Sequence, residues 1–516
     1  MPKITFNGKE LEFQPGQSVI ELAKSQGTDI PHYCWHPALS VAASCRMCLV
    51  AVKAPTPERL VTACNMPCVD GMVVETESPA ISRARAGNLE ALLLNHPLDC
   101  PICDKAGECW LQDYTYEYGA AAGRNDFERR KLQKRVDISE HVLLDQERCI
   151  LCTRCVRFLD DYVKKPELVV LERGAHSVID IFPGHPVRNN YQGNLADICP
   201  VGALTLKEFR FKNRVWHLTG VDSVCSSCSR GCSITLDVRE NELNRVRPRT
   251  NLQVNGYFIC DEGRFGLLRK YRPEDRLDSP LLRGRPADLA AVIQEAATRL
   301  RALLAVEANE LLVVASTETT NEEALLARQL FRAAAERAKV SLVFEKPPAA
   351  EGDGILHTGQ PAANRAGLEA LGYRGITRKT LLKRAGGSAG VVLLGIDLDL
   401  SADRPGLVIA QALGRRAGTG CDLAWPGQTA GEKDGTFTNC DGITQRVRAA
   451  LRSPAQVPGD FAALFALGKA LGVLDLPASP AAAFLMLAGE QGVSGLTLAA
   501  LPKDGIQLAQ AAPAES

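Results

Sequence analysis

Sixteen of the chain's eighteen cysteines fall between Cys34 and Cys260, and only Cys421 and Cys440 lie beyond. With 516 residues and 46% hydrophobic content, the chain can build about three or four domains of roughly 100 to 200 residues each, so it needs no disulfide staples. Its opening, "MPKITFNGKELEF", lacks the basic-then-apolar layout of an export signal. In a reducing compartment, clustered cysteines bind metal more often than they pair. The thiols are therefore read as ligands, and their spacing decides of what.

Charge excludes some partners. The 60 basic and 60 acidic residues cancel, so no global field recruits nucleic acid or an anionic membrane surface. The basic run "ERRKLQKR" (128–135) is expected to be a solvated helix face. No window reaches the ~18 uninterrupted apolar residues of a spanning helix, which predicts a cytosolic chain or one peripheral on a membrane assembly.

Local patterns place the thiols on elements. Ile4 and Phe6 alternate with polar residues, Asn7-Gly8 supplies a tight turn, and Leu11 and Phe13 alternate back, which predicts a hairpin. Ser18 with Glu21 makes a capping-box pattern before "VIELAKSQG", a short helix closed by Gly27. Strand, turn, strand, helix and cysteine loop is the order of a ferredoxin-like β-grasp domain, expected over 1–80. Residues 81–122 are expected to be helical on both sides of "HPLDCPICDKAGEC", with His96 at a helix end facing the cysteine loop. Residues 140–216 hold a further cysteine run with few long periodic elements, and 217–273 hold another among strands such as "SITLDVREN". Over 274–505, helices such as "NEEALLARQLFRAAAERA" alternate with buried-strand runs such as "ELLVVAS" and "GVVLLGI", an α/β texture. The tail "QLAQAAPAES" is expected to be disordered.

Four ligand groups emerge. Cys34, then Cys45 and Cys48, with Cys64 or Cys68 after them, give a long loop, a C-x2-C pair and a distant fourth thiolate, the layout of plant-type [2Fe–2S] proteins, although the first gap is ten residues instead of four. A zinc knuckle competes, but its ligands come as two short pairs. His32 and His36 flank Cys34 and are read as surface or packing residues. "CILCTRC" (Cys149, Cys152, Cys155) with the remote Cys199-Pro200 bends round three corners of a [4Fe–4S] cubane and supplies the fourth. "CSSCSRGC" (Cys225, Cys228, Cys232) with Cys260 fits a further cubane, with zinc the alternative. Cys100, Cys103 and Cys109 are one ligand short. Thiol counting leaves Cys68 or His96 to complete them, Asp99 and Asp104 being harder donors; a Cys3His zinc site is the competing reading.

In combination, "PHYCWHPALSVAASCRMCLV", "NHPLDCPICDKAGECWLQD", "RCILCTRCVRF" and "DICPVGALT" resemble the large iron–sulfur subunits of respiratory NADH-quinone oxidoreductase, complex I. The resemblance implies that His96 is an iron ligand and that Cys64, in "TACNMP", completes the [2Fe–2S] set. Beyond 217 the chain resembles a molybdopterin oxidoreductase module. "GEKDGTFTNCDGITQR" (431–446) stands for that module's "GTFTN-EGR" stretch, with Cys440 and Ile443 where the pattern prefers Glu and Arg. No cysteine lies between 261 and 420, and the module is short for its kind, so it is expected to be a degenerate structural platform without molybdopterin.

The fold expected is thus an α+β N-terminal half followed by an α/β domain. No G-x-G-x-x-G joins a strand to a helix; "AGGSAGVVLLGI" puts its glycines before a strand, so no FMN or NAD site is expected. The function expected is an electron wire of one [2Fe–2S] and three [4Fe–4S] clusters, with no catalytic residue of its own. It would sit between a flavin- and NADH-binding partner and quinone-side partners, alongside other hydrophilic iron–sulfur subunits, on the cytoplasmic face of a bacterial inner membrane. An NAD-linked formate dehydrogenase, an NAD-reducing hydrogenase and a zinc-stabilised scaffold are the alternatives.

Overall fold

The turn Asn7-Gly8 takes left-handed backbone, φ 49° and 78°, and joins β1 (Lys3–Phe6) to β2 (Lys9–Glu12) in antiparallel register, Phe6 opposite Lys9. The computed structural model describes residues 2–54, 57–272, 274–402 and 404–508. The chain divides into two compact units, Met1–Leu218 and Thr219–Ser516.

In the first unit, α1 (Val19–Ser25) starts at Ser18, whose N–H donates to the Glu21 carboxylate at 2.9 Å, and buries Val19, Ile20, Leu22 and Ala23. Gly27, at φ 71°, follows its end, where a side chain would strain the backbone. β3 (Leu49–Ala54), β4 (Arg59–Thr62) and β5 (Val73–Glu75) complete a five-stranded sheet in the order β2-β1-β5-β3-β4. The central β1–β5 pair is parallel and the rest antiparallel, which is the β-grasp arrangement. α2 (Pro79–Leu93), capped by Ser78, and α3 (Trp110–Tyr118), which starts at Cys109, flank the second cysteine group. Between 136 and 206, a small antiparallel sheet of Leu204–Leu206, Val142–Leu144 and Val136–Asp137 carries the short helices Arg154–Arg157 and Asn194–Ile198.

The run 128–135 is not helical. Tertiary acceptors take backbone N–H groups that a helix would bond to its own carbonyls: Arg130 N–H goes to Asn95 Oδ1 at 2.9 Å and Leu132 N–H to Glu147 at 3.2 Å. Lys134 is spent on Asp99 and Glu147.

The second unit opens with an antiparallel sheet of Thr219–Val224, Ser233–Arg239 and Glu242–Pro248, against which the helix Asp261–Lys270 packs. Next comes an eight-stranded sheet in the order Arg285–Pro286, Leu281–Leu282, Leu423–Pro426, Leu407–Ala412, Gly390–Leu394, Glu310–Ala315, Lys339–Glu345, Arg374–Ile376, antiparallel only at the first two pairings. Its central strands are buried on both faces, as parallel sheets covered by helices require. The helices Leu289–Leu304, Asn321–Ala334, Asp460–Leu471 and Pro480–Glu490 share a core with Trp425, Ile409 and Val313. Gln507, the first residue of the predicted disordered tail, pairs with Ile443 as strand; 509–516 lie outside the described residues. No helix among the described residues is long and apolar enough to cross a membrane.

Candidate iron–sulfur cluster sites

In the β-grasp fold, Leu49 pairs with Thr62, and Ala63 N–H donates to Cys48 O at 2.9 Å. This sets Cys48 and Cys64 side by side. The loop between α1 and β3 brings Cys34 and Cys45 to them. The thiols of Cys45 and Cys64 hydrogen-bond to Cys34 and hold it well below its ordinary range, while Cys64 is itself bonded to Cys34 and Cys48 and pushed far up. Tyr33 N–H points at Cys45 Sγ, 3.4 Å away, and Ala43 and Arg46 sit at φ 50° and 55°, left-handed backbone that costs about 1–2 kcal/mol per side-chain-bearing residue. Cys68 shares the domain core with Cys48 and Cys64, but its thiol answers to other groups than theirs: burial and Glu21 push it up to about 11, and its N–H goes to Gln17 O at 2.9 Å. His32 is not on the surface: it is wedged edge-on between Trp35 and Trp110, with ring centroids 5.1 and 5.4 Å apart. His36 is pushed down to about 3 by burial and by Arg154.

His96, Cys100, Cys103 and Cys109 line one cavity. His96 lies three residues past α2. Burial, then the Arg148 charge, pushes its imidazole down to about 4, so it is a neutral donor near pH 7. Asp99 and Asp104 are otherwise engaged: Asp99 bonds Arg148 at 2.9 Å and Lys134 at 2.6 Å, and Asp104 accepts the Phe211 N–H at 3.0 Å. A Cβ built on Gly202 would lie 2.1 Å from Cys103 Sγ, so only glycine lets that thiol take its place.

Cys149, Cys152, Cys155 and Cys199 line a second cavity, with Arg154 and Leu204 among the wall residues. Leu151 and Thr153 sit at φ 53° and 58°, and Leu151 N–H approaches Cys149 Sγ at 3.4 Å. In the second unit, Cys225, Cys228, Cys232 and Cys260 are all buried, and Cys225 N–H donates to Cys232 O at 2.8 Å. Cys260 caps the helix Asp261–Lys270, its sulfur taking the Gly263 N–H at 3.3 Å. A Cβ on Gly263 would lie 3.0 Å from Cys225 Sγ.

These groups fit iron–sulfur clusters. The His96 and Cys149 groups each line a cavity, backbone N–H groups aim at the sulfurs of Cys45, Cys149 and Cys260, and glycine stands where a side chain would crowd Cys103 and Cys225. Burial pushes Cys149, Cys155, Cys232 and Cys260 up, a cost that a bound cation reverses because it needs the thiolate form.

The stretch 431–439 has its polar groups spent inside the fold. Glu432 pairs with both ends of Arg276, at 2.6 and 2.7 Å; Lys433 reaches Glu323 at 3.0 Å and Asp460 at 2.7 Å; Thr436 bonds Glu322 twice at 2.7 Å. Cys440 is exposed, whereas Cys421 is buried in the core against the large sheet.

Known families match these groups in order. Residues 2–79 match a 2Fe-2S iron-sulfur cluster binding domain, 85–124 the NADH-ubiquinone oxidoreductase-G iron-sulfur binding region, 139–205 the ferredoxin-like domain of NADH-quinone oxidoreductase subunit 3, and 218–272 the molybdopterin oxidoreductase Fe4S4 domain. An NADH-quinone oxidoreductase subunit of Streptomyces coelicolor is 41% identical over 288 residues, 55% of this chain and 34% of that protein. Subunit 3 of the Thermus thermophilus enzyme is 37% identical over 367 residues, 64% of this chain and 46% of that protein. The chain is a relative of the large iron–sulfur subunits of NADH-quinone oxidoreductase. It spans less than half the length of these two relatives. A solved chain of an NAD+-reducing [NiFe]-hydrogenase is 32% identical, covering 42% of this chain and 91% of that one with a TM-score of 0.38.

Against the large iron–sulfur subunit pattern, spacing pointed at thiols and one imidazole but not at Arg148, Arg154, Arg157 or Gly202. Their signal was present in "RCILCTRCVRF" and "CPVGAL", where basic residues and a glycine stand in or beside ligand motifs.

Proposed function

We propose that this chain is an electron-transfer subunit of a proton-translocating NADH:quinone oxidoreductase, peripheral on the cytoplasmic face of a bacterial inner membrane. It takes electrons singly from a flavin-bearing partner and passes them toward quinone-side partners. The ligand sets are Cys34, Cys45, Cys48 and Cys64 for a [2Fe–2S] cluster, and His96 with Cys100, Cys103 and Cys109, Cys149 with Cys152, Cys155 and Cys199, and Cys225 with Cys228, Cys232 and Cys260 for three [4Fe–4S] clusters. The division into 1–80, 81–122, 140–216, 217–273 and 274–505 follows those sets, the last part serving as a platform.

The observation that supports this reading is that the chain gathers those cysteines, with His96, in four separate places, two of them around a cavity. When bound, such clusters supply one-electron redox chemistry, with potentials set by ligand type, hydrogen bonds to sulfur and burial. The chain's own residues do the rest. Thiolates and the neutral His96 imidazole hold iron. The N–H groups of Tyr33, Leu151 and Gly263 place positive dipole ends at sulfur, which favours added negative charge. Ligand loops in the first unit also touch. Arg157 Nη2 donates to Cys34 O at 2.5 Å and Cys152 O at 3.1 Å, and Trp110 N–H donates to Pro200 O at 3.0 Å, next to Cys109 and Cys199.

Metal analysis with EPR of the reduced protein tests the reading: about fourteen iron atoms per chain and four cluster signals are expected. Several zincs with little iron would refute it, as would molybdenum or tungsten accompanied by formate-dependent dye reduction.

A further inference from the structure

A buried guanidinium lies among the ligand loops of the first unit with no acid beside it. Arg154 is 2% exposed. Its Nη2 donates to Trp35 O at 2.5 Å, its Nη1 to Ile198 O at 3.4 Å, and its Cζ lies 4.5 Å from the Trp110 ring centroid. Its Nε is buried without a partner. Each neighbour adjoins a thiol: Trp35 follows Cys34, Ile198 precedes Cys199, Trp110 follows Cys109, and Arg154 itself lies between Cys152 and Cys155. Burial acts most strongly against its charge; the Cys152, Cys199 and Cys34 thiols favour it, and Arg157 opposes it. Among the described residues no carboxylate pairs with it. Arg148 differs, holding Asp99 at 2.9 Å and Asp145 at 3.2 Å.

A buried cation without an anion is costly, several kcal/mol in order of magnitude. Two carbonyl dipoles and an indole face offset part of that. An arginine does not escape by losing its proton in the physiological range. The remaining compensation has one source at hand, the negative charge that thiolates carry once they hold iron and sulfide.

We infer that Arg154 is the buried counter-cation shared by the Cys34–Cys64 and Cys149–Cys199 sites, and that its fixed charge raises the reduction potentials of both. It is a positioning residue: it touches the loops that carry ligands, and adding an electron near a fixed positive charge at low effective dielectric is favoured. This deepens the proposed function and rests on it.

The test is EPR-monitored redox titration of the full chain in its complex, comparing wild type with Arg154→Lys, Arg154→Gln and Arg154→Met. Both neutral variants are expected to move the [2Fe–2S] and the Cys149–Cys199 midpoints to more negative values. Lysine keeps them near wild type, and the Cys225–Cys260 signal serves as the internal reference. Methionine fills the site without leaving unpaired donors, so failure of the glutamine variant to fold leaves a neutral variant to read. Selective loss of these two clusters in both neutral variants, with retention in the lysine variant, also supports the assignment. Unmoved midpoints in the neutral variants, or a lysine variant displaced as far as they are, overturns it. Absence of cluster signals in the wild type overturns the functional reading instead.

Discussion

The sharpest test of the platform reading lies at Glu322, at the first turn of the helix Asn321–Ala334. Its carboxyl is fully buried and accepts the Thr436 N–H at 2.7 Å, with the Thr436 hydroxyl 2.7 Å from its other oxygen. Thr436 Oγ1 also receives Asn321 Nδ2 at 3.0 Å. Burial outweighs these bonds and pushes Glu322 up to about 7 from the ordinary 4.5. Since a pH unit is worth 1.36 kcal/mol, that difference corresponds to about 3 kcal/mol. The sign follows from proton counts. Between pH 4.5 and 7 the folded state holds a proton that the unfolded state has released, so stability falls as pH rises through that window. Above 7 the whole penalty is present, and below 4.5 it vanishes. Glu322→Gln mimics the protonated acid: its carbonyl accepts the Thr436 N–H and its amide donates to the hydroxyl. The unfolding free energy of Glu322→Gln relative to wild type, followed from pH 4.5 to 8, should start near zero and climb, reaching about 3 kcal/mol in favour of the variant by pH 8. NADH-driven electron transfer and iron content should stay at wild-type values throughout. A stability difference that is flat in pH would refute the titration argument, and loss of electron transfer with iron intact would show that this stretch is more than scaffold.

Other substitutions separate the sites. Gly202→Ala forces a Cβ to within 2.1 Å of Cys103 Sγ, so iron analysis should find about four atoms fewer, with only the His96 cluster's EPR signal lost. Cys68→Ala should keep every cluster signal and all the iron, because Cys68 does not line the cavity that His96 shares with Cys100, Cys103 and Cys109, and its thiol answers to burial and Glu21 alone; His96→Cys should shift one cubane signal alone, and the opposite pattern would reassign the ligand. Lys433→Met strips the cation from Glu323 and Asp460, which lie 3.0 and 2.7 Å from it, and should cost about 3–5 kcal/mol in denaturant unfolding without changing iron content.

Periodic patterns carried most of the fold. The Asn7-Gly8 hairpin, the Ser18–Glu21 start of α1 and the "GVVLLGI" strand all follow from rules that act over a few residues. The basic run at 128–135 did not, because the partners that hold it extended, Asn95 and Glu147 among them, are remote in sequence. Ligand spacing likewise sorted the thiols into four groups, since two to five residues between neighbouring cysteines leave little freedom. Thiol counting left His96 as one of two candidates, and the resemblance to the large iron–sulfur subunits favoured it. What separates it from Cys68 in space is the cavity that His96 lines with Cys100, Cys103 and Cys109, whereas Cys68 packs in the β-grasp core with its N–H on Gln17 O. Charge was less legible still, for Arg148, Arg154 and Arg157 look like ordinary surface cations until the loops that bury them are assembled.

The two units owe their stability to different sources. The eight-stranded sheet and its helices bury a continuous apolar core, and buried ions of the same unit have opposite charges beside them, Lys433 with Glu323 and Asp460 and Glu432 with Arg276. In the first unit the ligand loops run the other way. Ala43, Arg46, Leu151 and Thr153 hold left-handed backbone, at about 1–2 kcal/mol each, and the desolvated thiols and the uncompensated Arg154 add to that. Such strain persists only where something over-determines the conformation, and under the proposed function iron held by these thiolates, with binding energy coupled to folding, would supply a term of the right sign. The ligand loops should therefore lose protection from hydrogen exchange when iron is removed, while the large sheet keeps its own.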